Sequence, residues 1–174
     1  MKKIAVGIVG YGNLGKAVEK LLVEKNEYNL VGIFSRRRIV STLKSPCFEM
    51  DKIQEFKGKI DILILCGGSD SDLLLQTPIL AKDFNIINTF DTHKLIKQEK
   101  EKLDKLAKES KKYAIICCGW DPGLFSQMRI LFNAISDVKS ASFWGKGVSM
   151  GHTNALKKIE NVKDAVAYTL PNEK

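Results

Sequence analysis

Apolar and polar positions follow two alternating regimes along the chain. Short apolar runs occur at Ile4–Val9, Leu30–Phe34, Asp61–Cys66, Ile86–Thr89 and Tyr113–Cys118. Runs of this length and continuity are what strands look like when a parallel sheet buries them on both faces. Between them the apolar residues recur at helical spacing. Leu14, Val18, Leu21 and Leu22 mark a helix ending near Lys25, and Leu95, Ile96, Leu103, Leu106 and Ala107 mark another. A third helical stretch, about Asp70 to Lys82, contains Pro78, which is expected to kink or divide it. Residues 38–59 carry no readable pattern. Strands alternating with amphipathic helices predict βαβ units, hence an α/β fold with a doubly wound parallel sheet. Right-handed crossovers then gather all the strand C-terminal ends on one edge, where such sheets bind ligands.

The pattern changes after Gly119. Residues 122–135 read as a helix, with Leu124, Phe125, Met128, Leu131, Phe132 and Ile135 apolar and Pro122 suited to its first turn. Ser140–Trp144 reads as a strand, Gly145–Gly147 as a turn and Gly151–Ile159 as a short helix, while Asp164–Leu170 fits either type. A boundary near Gly119 follows, giving domains 1–118 and 119–174. Some 55 residues beyond it are few for an independent domain, so the chain is expected to be truncated.

Composition narrows the classes. No run approaches the roughly 18 apolar residues of a membrane span, and the N-terminus lacks a signal-peptide pattern. The four cysteines form no Cys-x-x-Cys pair, so neither a metal site nor a disulfide framework is expected, and a reduced, cytoplasmic setting is. Cys47 reads as a loop residue. The net charge of +8 raises the question of nucleic acid. Half of it, however, comes from Lys94–Lys112, where eight lysines alternate with Glu99, Glu101, Asp104 and Glu109 around the apolar stripe. That is a solvated helix face with no aromatic side chains to stack on bases, so neither nucleic acid nor membrane is an expected partner.

Five clusters follow strands and carry chemistry. Gly10-Tyr11-Gly12-Asn13-Leu14-Gly15 lies between the first strand and first helix. There the first glycine permits a tight turn, the second a close approach of pyrophosphate, and the third close strand–helix packing. The second strand ends Phe34-Ser35-Arg36-Arg37-Arg38, without the carboxylate that would bind a ribose 2′-hydroxyl. Guanidinium groups and a serine hydroxyl suit a 2′-phosphate instead, which favours NADP over NAD. Cys66-Gly67-Gly68-Ser69 is either a backbone platform for the cofactor or a simple turn. Asp91, in Asn88-Thr89-Phe90-Asp91-Thr92-His93, and Asp121, in Gly119-Trp120-Asp121-Pro122-Gly123, could compensate a substrate ammonium or cap helices. The two histidines, His93 and His152, read as surface or capping residues.

With these motifs stand Phe143-Trp144-Gly145-x-Gly147-Val148-Ser149-x-Gly151-His152 and Tyr168-Thr169-Leu170-Pro171. Together, and in this order, they resemble the meso-diaminopimelate dehydrogenase family over nearly the whole chain, as an N-terminal portion. The resemblance implies a Rossmann-like NADP domain at 1–118 and, at 119–174, the beginning of an α+β substrate-binding and dimerisation domain. It also implies NADP-dependent, reversible oxidative deamination at the D-centre of meso-2,6-diaminopimelate in lysine biosynthesis, by a homodimer. Asp91 and Asp121 would hold the reacting amino group, and Trp120 and Trp144 would wall the substrate. Met150 and Gly151 would offer backbone groups, and Thr169 would meet a carboxylate. Asp91, Thr92, His93, Trp120, Asp121, Pro122 and Gly123 would join the glycine turns around the cofactor. Two other readings are an NADP enzyme of the same architecture acting on another amino or imino acid, and a non-catalytic NADPH-binding fragment.

Overall fold

A computed structural model describes residues 2–137 and 146–170. It divides into two compact units, Met1–Ile130 and Leu131–Lys174.

The first unit is built on six parallel strands: β1 (Ile4–Val9), β2 (Tyr28–Ser35), β3 (Cys47–Glu49), β4 (Ile62–Leu65), β5 (Asn85–Asn88) and β6 (Ala114–Ile115). Their order across the sheet is β3-β2-β1-β4-β5-β6. The chain therefore winds outward from β1 in one direction through β2 and β3, then returns to wind the other way. Helix α1 (Asn13–Glu24) makes the first crossover. A 3-10 turn at Met50–Phe56 leads back from β3 to β4. Helices α2 (Leu74–Leu80) and α3 (Ile96–Ser110) make the crossovers to β5 and β6.

The period-two side-chain alternation of the strands feeds two cores. Val6, Ile8 and Ile33 pack with Leu22 of α1 on one face. Val9, Phe34, Leu63, Leu65 and Ile86 pack on the other, against Ile53, Leu73, Leu80 and Leu103. On that second face the rings of Phe34 and Phe56 meet edge to face at 5.0 Å. Burial on both faces holds for β1 and the end of β2. It does not hold for β4–β6, where Ile62, Ile64 and Ile87 are only half-buried and Ile115 is exposed. These side chains alternate with Leu63, Leu65 and Ile86 and so point away from α2 and α3.

Several expected boundaries move. The strand expected over Tyr113–Cys118 pairs only at Ala114–Ile115. Pro78 sits inside an unbroken α2, and the irregularity falls earlier, in a π-type turn at Ser69–Leu73. Cys47, expected in a loop, opens β3. The lysine-rich helix forms, burying Glu99, Leu103 and Ala107 and stopping at Lys111 in the left-handed conformation.

Helix α4 (Leu124–Ile135) starts two residues later than the Pro122 start expected of it, and the units divide within it. In the second unit, β7 (Gly147–Val148) and β8 (Tyr168–Thr169) pair antiparallel, with α5 (Met150–Lys157) between them in sequence. The buried Thr153 ties α5 to β8 by accepting the Ala167 N–H at 2.9 Å. The strand expected at Ser140–Trp144 lies outside the described residues.

Candidate functional site

All five loops that follow β1, β2, β4, β5 and β6 emerge on one edge of the sheet. The turn after β1 is the tightest. Gly10 takes φ +92°, a left-handed conformation that favours glycine, and its N–H donates to the Phe34 carbonyl at 2.9 Å. A Cβ on Gly15 would stand 2.2 Å from the Gly10 carbonyl oxygen, so the third glycine is what lets α1 pack directly on the turn. Gly12 is different. It caps α1 in ordinary backbone, and a Cβ there would meet nothing within 4 Å. Asn13, Leu14 and Gly15 open the helix, so its first N–H groups face the open space over Gly12 and form an anion cradle.

Tyr11 turns away from that cradle. Its hydroxyl donates to Oε2 of Glu19 at 2.5 Å and accepts the Thr42 N–H at 3.0 Å. Glu19 is fully buried on α1 and also accepts a hydrogen bond from the Ser41 hydroxyl. Burial opposes its ionisation, but hydrogen bonds from Ser41, Ser45 and Tyr11 outweigh that and hold the carboxyl below its ordinary value. This carboxylate thus pins the loop after the arginines to the helix of the glycine turn. Glu19 was not among the expected site residues. Its only trace in the sequence is an acidic residue next to Val18 on an otherwise apolar helix stripe.

At the end of β2 the Ser35 hydroxyl accepts the Arg37 N–H at 3.1 Å and keeps its own proton to donate. Arg36 pairs with Asp72, across from it in the turn after β4. Beyond them Arg37, Arg38 and Lys52, with Glu49, Ile39, Cys47 and Phe48, line a cavity of about 290 Å³. Cys66 and Gly67 lie against the glycine turn: a Cβ on Gly10 would come within 3.4 Å of the Gly67 nitrogen. Burial pushes the Cys66 thiol up to about 12. Ser69 accepts the Asp91 N–H at 3.1 Å, joining the loops after β4 and β5.

Asn88, buried at the end of β5, organises the next loop. Its side chain accepts the Phe90 N–H at 3.1 Å and donates to Thr77 at 3.2 Å, and its carbonyl accepts the Cys118 N–H at 2.9 Å. It too escaped the sequence reading, although a polar residue closing an apolar run was visible there. Asp91 and His93 are exposed beyond it. Thr92 precedes a 3-10 turn at His93–Leu95, so Asp91 does not cap it.

Neither does Asp121 cap α4. Gly119 and Gly123 bridge one another, and Gly123 takes φ +141° with no room for a Cβ beside the Gly119 carbonyl. The helix begins only after that loop, at Leu124, with Pro122 outside it. The Asp121 carboxylate instead meets Arg129 Nη2 at 2.5 Å and Ser126 Oγ at 3.3 Å. The Arg129 hydrogen bond and charge hold it below the ordinary carboxylate value, with His93 adding a smaller pull. Trp120 is exposed and stacks loosely on Phe125, 5.5 Å between centroids. In the second unit, Met150 and Gly151 form the first turn of α5, and Thr169 lies opposite Gly147 in the β7–β8 pair. Trp144 lies outside the described residues. Among those described, no group of three or more His, Cys, Asp or Glu side chains could hold a metal ion, and no helix is long and apolar enough to cross a membrane.

The strand order, with a glycine turn at the point where the winding reverses, defines a Rossmann-type dinucleotide-binding fold. A family model described as the diaminopimelic acid dehydrogenase C-terminal domain matches residues 119–174. The meso-diaminopimelate D-dehydrogenase of Acetivibrio thermocellus is 46% identical over 178 residues, covering 99% of this chain and 53% of that protein. The solved structure of Corynebacterium glutamicum DAP dehydrogenase in complex with DAP matches with TM-score 0.83 and 39% identity, over 95% of this chain and 52% of that one. An engineered D-amino acid dehydrogenase bound to NADP+ matches with TM-score 0.82 and 38% identity, again over 95% and 52%. The chain spans about half the length of the curated relatives it matches, and over that span it is similar to meso-diaminopimelate D-dehydrogenases.

Proposed function

We propose that this chain binds NADP and carries the first part of the substrate site of a meso-diaminopimelate dehydrogenase. The observation that carries the reading is the pairing of an open cradle at Gly12 with Ser35, Arg36 and Arg37 at the end of β2, a strand end whose own residues include no carboxylate. The residues fit the cofactor. Gly10–Gly15 and the N-terminus of α1 would take the pyrophosphate, and Ser35, Arg36 and Arg37 the 2′-phosphate. Cys66–Ser69, Asp91–His93 and Trp120–Gly123 would border the nicotinamide end. When bound, NADP+ supplies a hydride acceptor.

The reaction we assign is that of the relatives. Meso-2,6-diaminopimelate, water and NADP+ give L-2-amino-6-oxopimelate, ammonia, NADPH and a proton, reversibly. Asp121, held ionised by Arg129, would bind the amine of the D-centre as its ammonium form. Asp91, which has no such cation on it among the described contacts, is the better candidate to move a proton. Trp120 and Trp144 would flank the substrate, with Met150, Gly151 and Thr169 meeting its polar ends. A homodimer and a cytoplasmic setting belong to the same reading.

Because the relatives are about twice as long, cofactor binding without turnover is a distinct second reading. The test is to mix the chain with NADP+ and meso-diaminopimelate and follow NADPH formation, alongside NADPH binding by nicotinamide fluorescence. Turnover supports the full assignment, and binding alone supports the cofactor-binding half. Failure to bind NADPH sinks both.

A further inference from the structure

One ion pair in this molecule lies across the space a dinucleotide needs. Arg36 follows β2 and Asp72 follows β4, and β1 runs between those strands. Neighbouring strands are about 4.8 Å apart, so β2 and β4 are separated by about 10 Å. Two side chains from strands that far apart meet only by reaching over the end of β1, which is where Gly10–Gly12 turns. Asp72 is fixed from below. Its Oδ2 accepts the Gly68 N–H at 3.4 Å, its own N–H donates to the Gly68 carbonyl, and its Cβ fills the space that a side chain on Gly67 would occupy. The aspartate is therefore the rooted partner and the largely exposed arginine the mobile one.

We infer that Asp72 is a specificity-determining residue that competes with the 2′-phosphate of the cofactor for Arg36. The inference rests on the NADP assignment above. Without cofactor the carboxylate holds the guanidinium over the glycine turn. When a 2′-phosphorylated dinucleotide seats, the phosphate takes the guanidinium and Asp72 is left without its cation beside an added anion. The aspartate thus weakens NADP binding while leaving a dinucleotide with a free 2′-hydroxyl almost indifferent. An exposed ion pair is a weak competitor, so the effect is severalfold rather than many orders.

The experiment measures NADPH and NADH dissociation constants by nicotinamide fluorescence on this chain, as wild type, Asp72→Asn, Asp72→Ser, Arg36→Met and the Asp72→Asn/Arg36→Met double variant. Asp72→Asn keeps an acceptor for the Gly68 N–H, and Asp72→Ser repeats the charge loss with a different side chain. The expected result is NADPH binding tightened about threefold to fivefold by either Asp72 change, with NADH altered less than about twofold. The gain disappears when Arg36 is already gone. Unchanged or weakened NADPH binding in both Asp72 variants overturns the inference, as does equal tightening of NADH. If wild type binds NADH and not NADPH, the cofactor assignment itself falls, and the inference with it.

Discussion

Arg129, on the second turn of α4, places its guanidinium 2.5 Å from Oδ1 of Asp121, in the loop that precedes the helix. A guanidinium stays charged at every working pH, so it stabilises the carboxylate and not the acid. Asp121 therefore suits holding a cation and is a poor proton acceptor. Arg129→Gln should move the Asp121 titration upward toward ordinary carboxylate values. Carbon-13 NMR of the labelled carboxyl reads this directly. A titration unmoved by the substitution would show that the pair is not formed in solution. Because the folded value is the depressed one, the stability Asp121 contributes is present above its unfolded pKa and fades as the pH falls below it. Urea unfolding at neutral pH and near pH ~3 should show this fading in wild type and less of it in Arg129→Gln.

Glu19 carries a larger structural consequence because it is fully buried. Its carboxylate is the common acceptor for Tyr11 and Ser41, and Ser41 in turn accepts the Leu43 and Ser45 N–H groups at 3.0 and 2.9 Å. Replacing it with Gln converts one accepting oxygen into a donor facing hydroxyl groups that already donate inward. The expected cost is about 1–3 kcal/mol in urea unfolding, with weaker NADPH binding because the loop after Arg36–Arg38 loses its anchor. A variant as stable as wild type would mean that the loop is held by other contacts. The folded carboxyl is depressed, so Glu19 stabilises at neutral pH and its contribution drains away as the pH falls through its folded value.

The thiols offer a chemical readout of the ligand edge. Burial pushes Cys66 up to about 12, and Cys117 and Cys118 are raised chiefly by burial as well. Only thiolate alkylates readily, so Cys66 should remain unmodified by iodoacetamide near pH ~8, after partial labelling elsewhere. Peptide mass spectrometry after timed quenching checks this. Fast labelling of Cys66 would mean that the turn after β4 opens in solution.

Much of the fold was legible because strand burial leaves continuous apolar runs, and β1 forms over the expected Ile4–Val9. The glycine turn was equally legible, since Gly10 and Gly15 are required by backbone geometry that no other residue satisfies as well. Residues 38–59 were not legible. Their only strand is three residues long and their helical piece is a 3-10 turn, both held by Ile53, Phe48 and Phe56 packing on distant strands. Asp121 misled for a related reason. Asp-Pro is a fair helix-start signal in isolation, but the Gly119–Gly123 bridge closes a separate loop first, with Gly123 at φ +141°. Arg129 lies eight residues from Asp121, beyond any local spacing rule, so the ion pair that decides Asp121's charge appears only in three dimensions.

The two glycines of the α1 turn separate folding from cofactor binding. Gly15→Ala would drive a methyl group to 2.2 Å from the Gly10 carbonyl, so the turn or the helix must shift. Overpacking of that kind costs about 1–3 kcal/mol, and the melting temperature should fall together with NADPH binding. Gly12→Ala meets no protein atom within 4 Å and needs no unusual backbone, so the melting temperature should hold or rise slightly. Its methyl group would nevertheless occupy the cradle at the N-terminus of α1, where a pyrophosphate must approach the backbone. NADPH affinity should then drop by at least about tenfold, the equivalent of ~1.4 kcal/mol, in a protein that is otherwise intact. Thermal melts with and without NADPH read both effects in one series, because a ligand that binds only the folded chain raises the midpoint. An NADPH-dependent shift in Gly12→Ala equal to that of wild type would place the cofactor somewhere other than this turn.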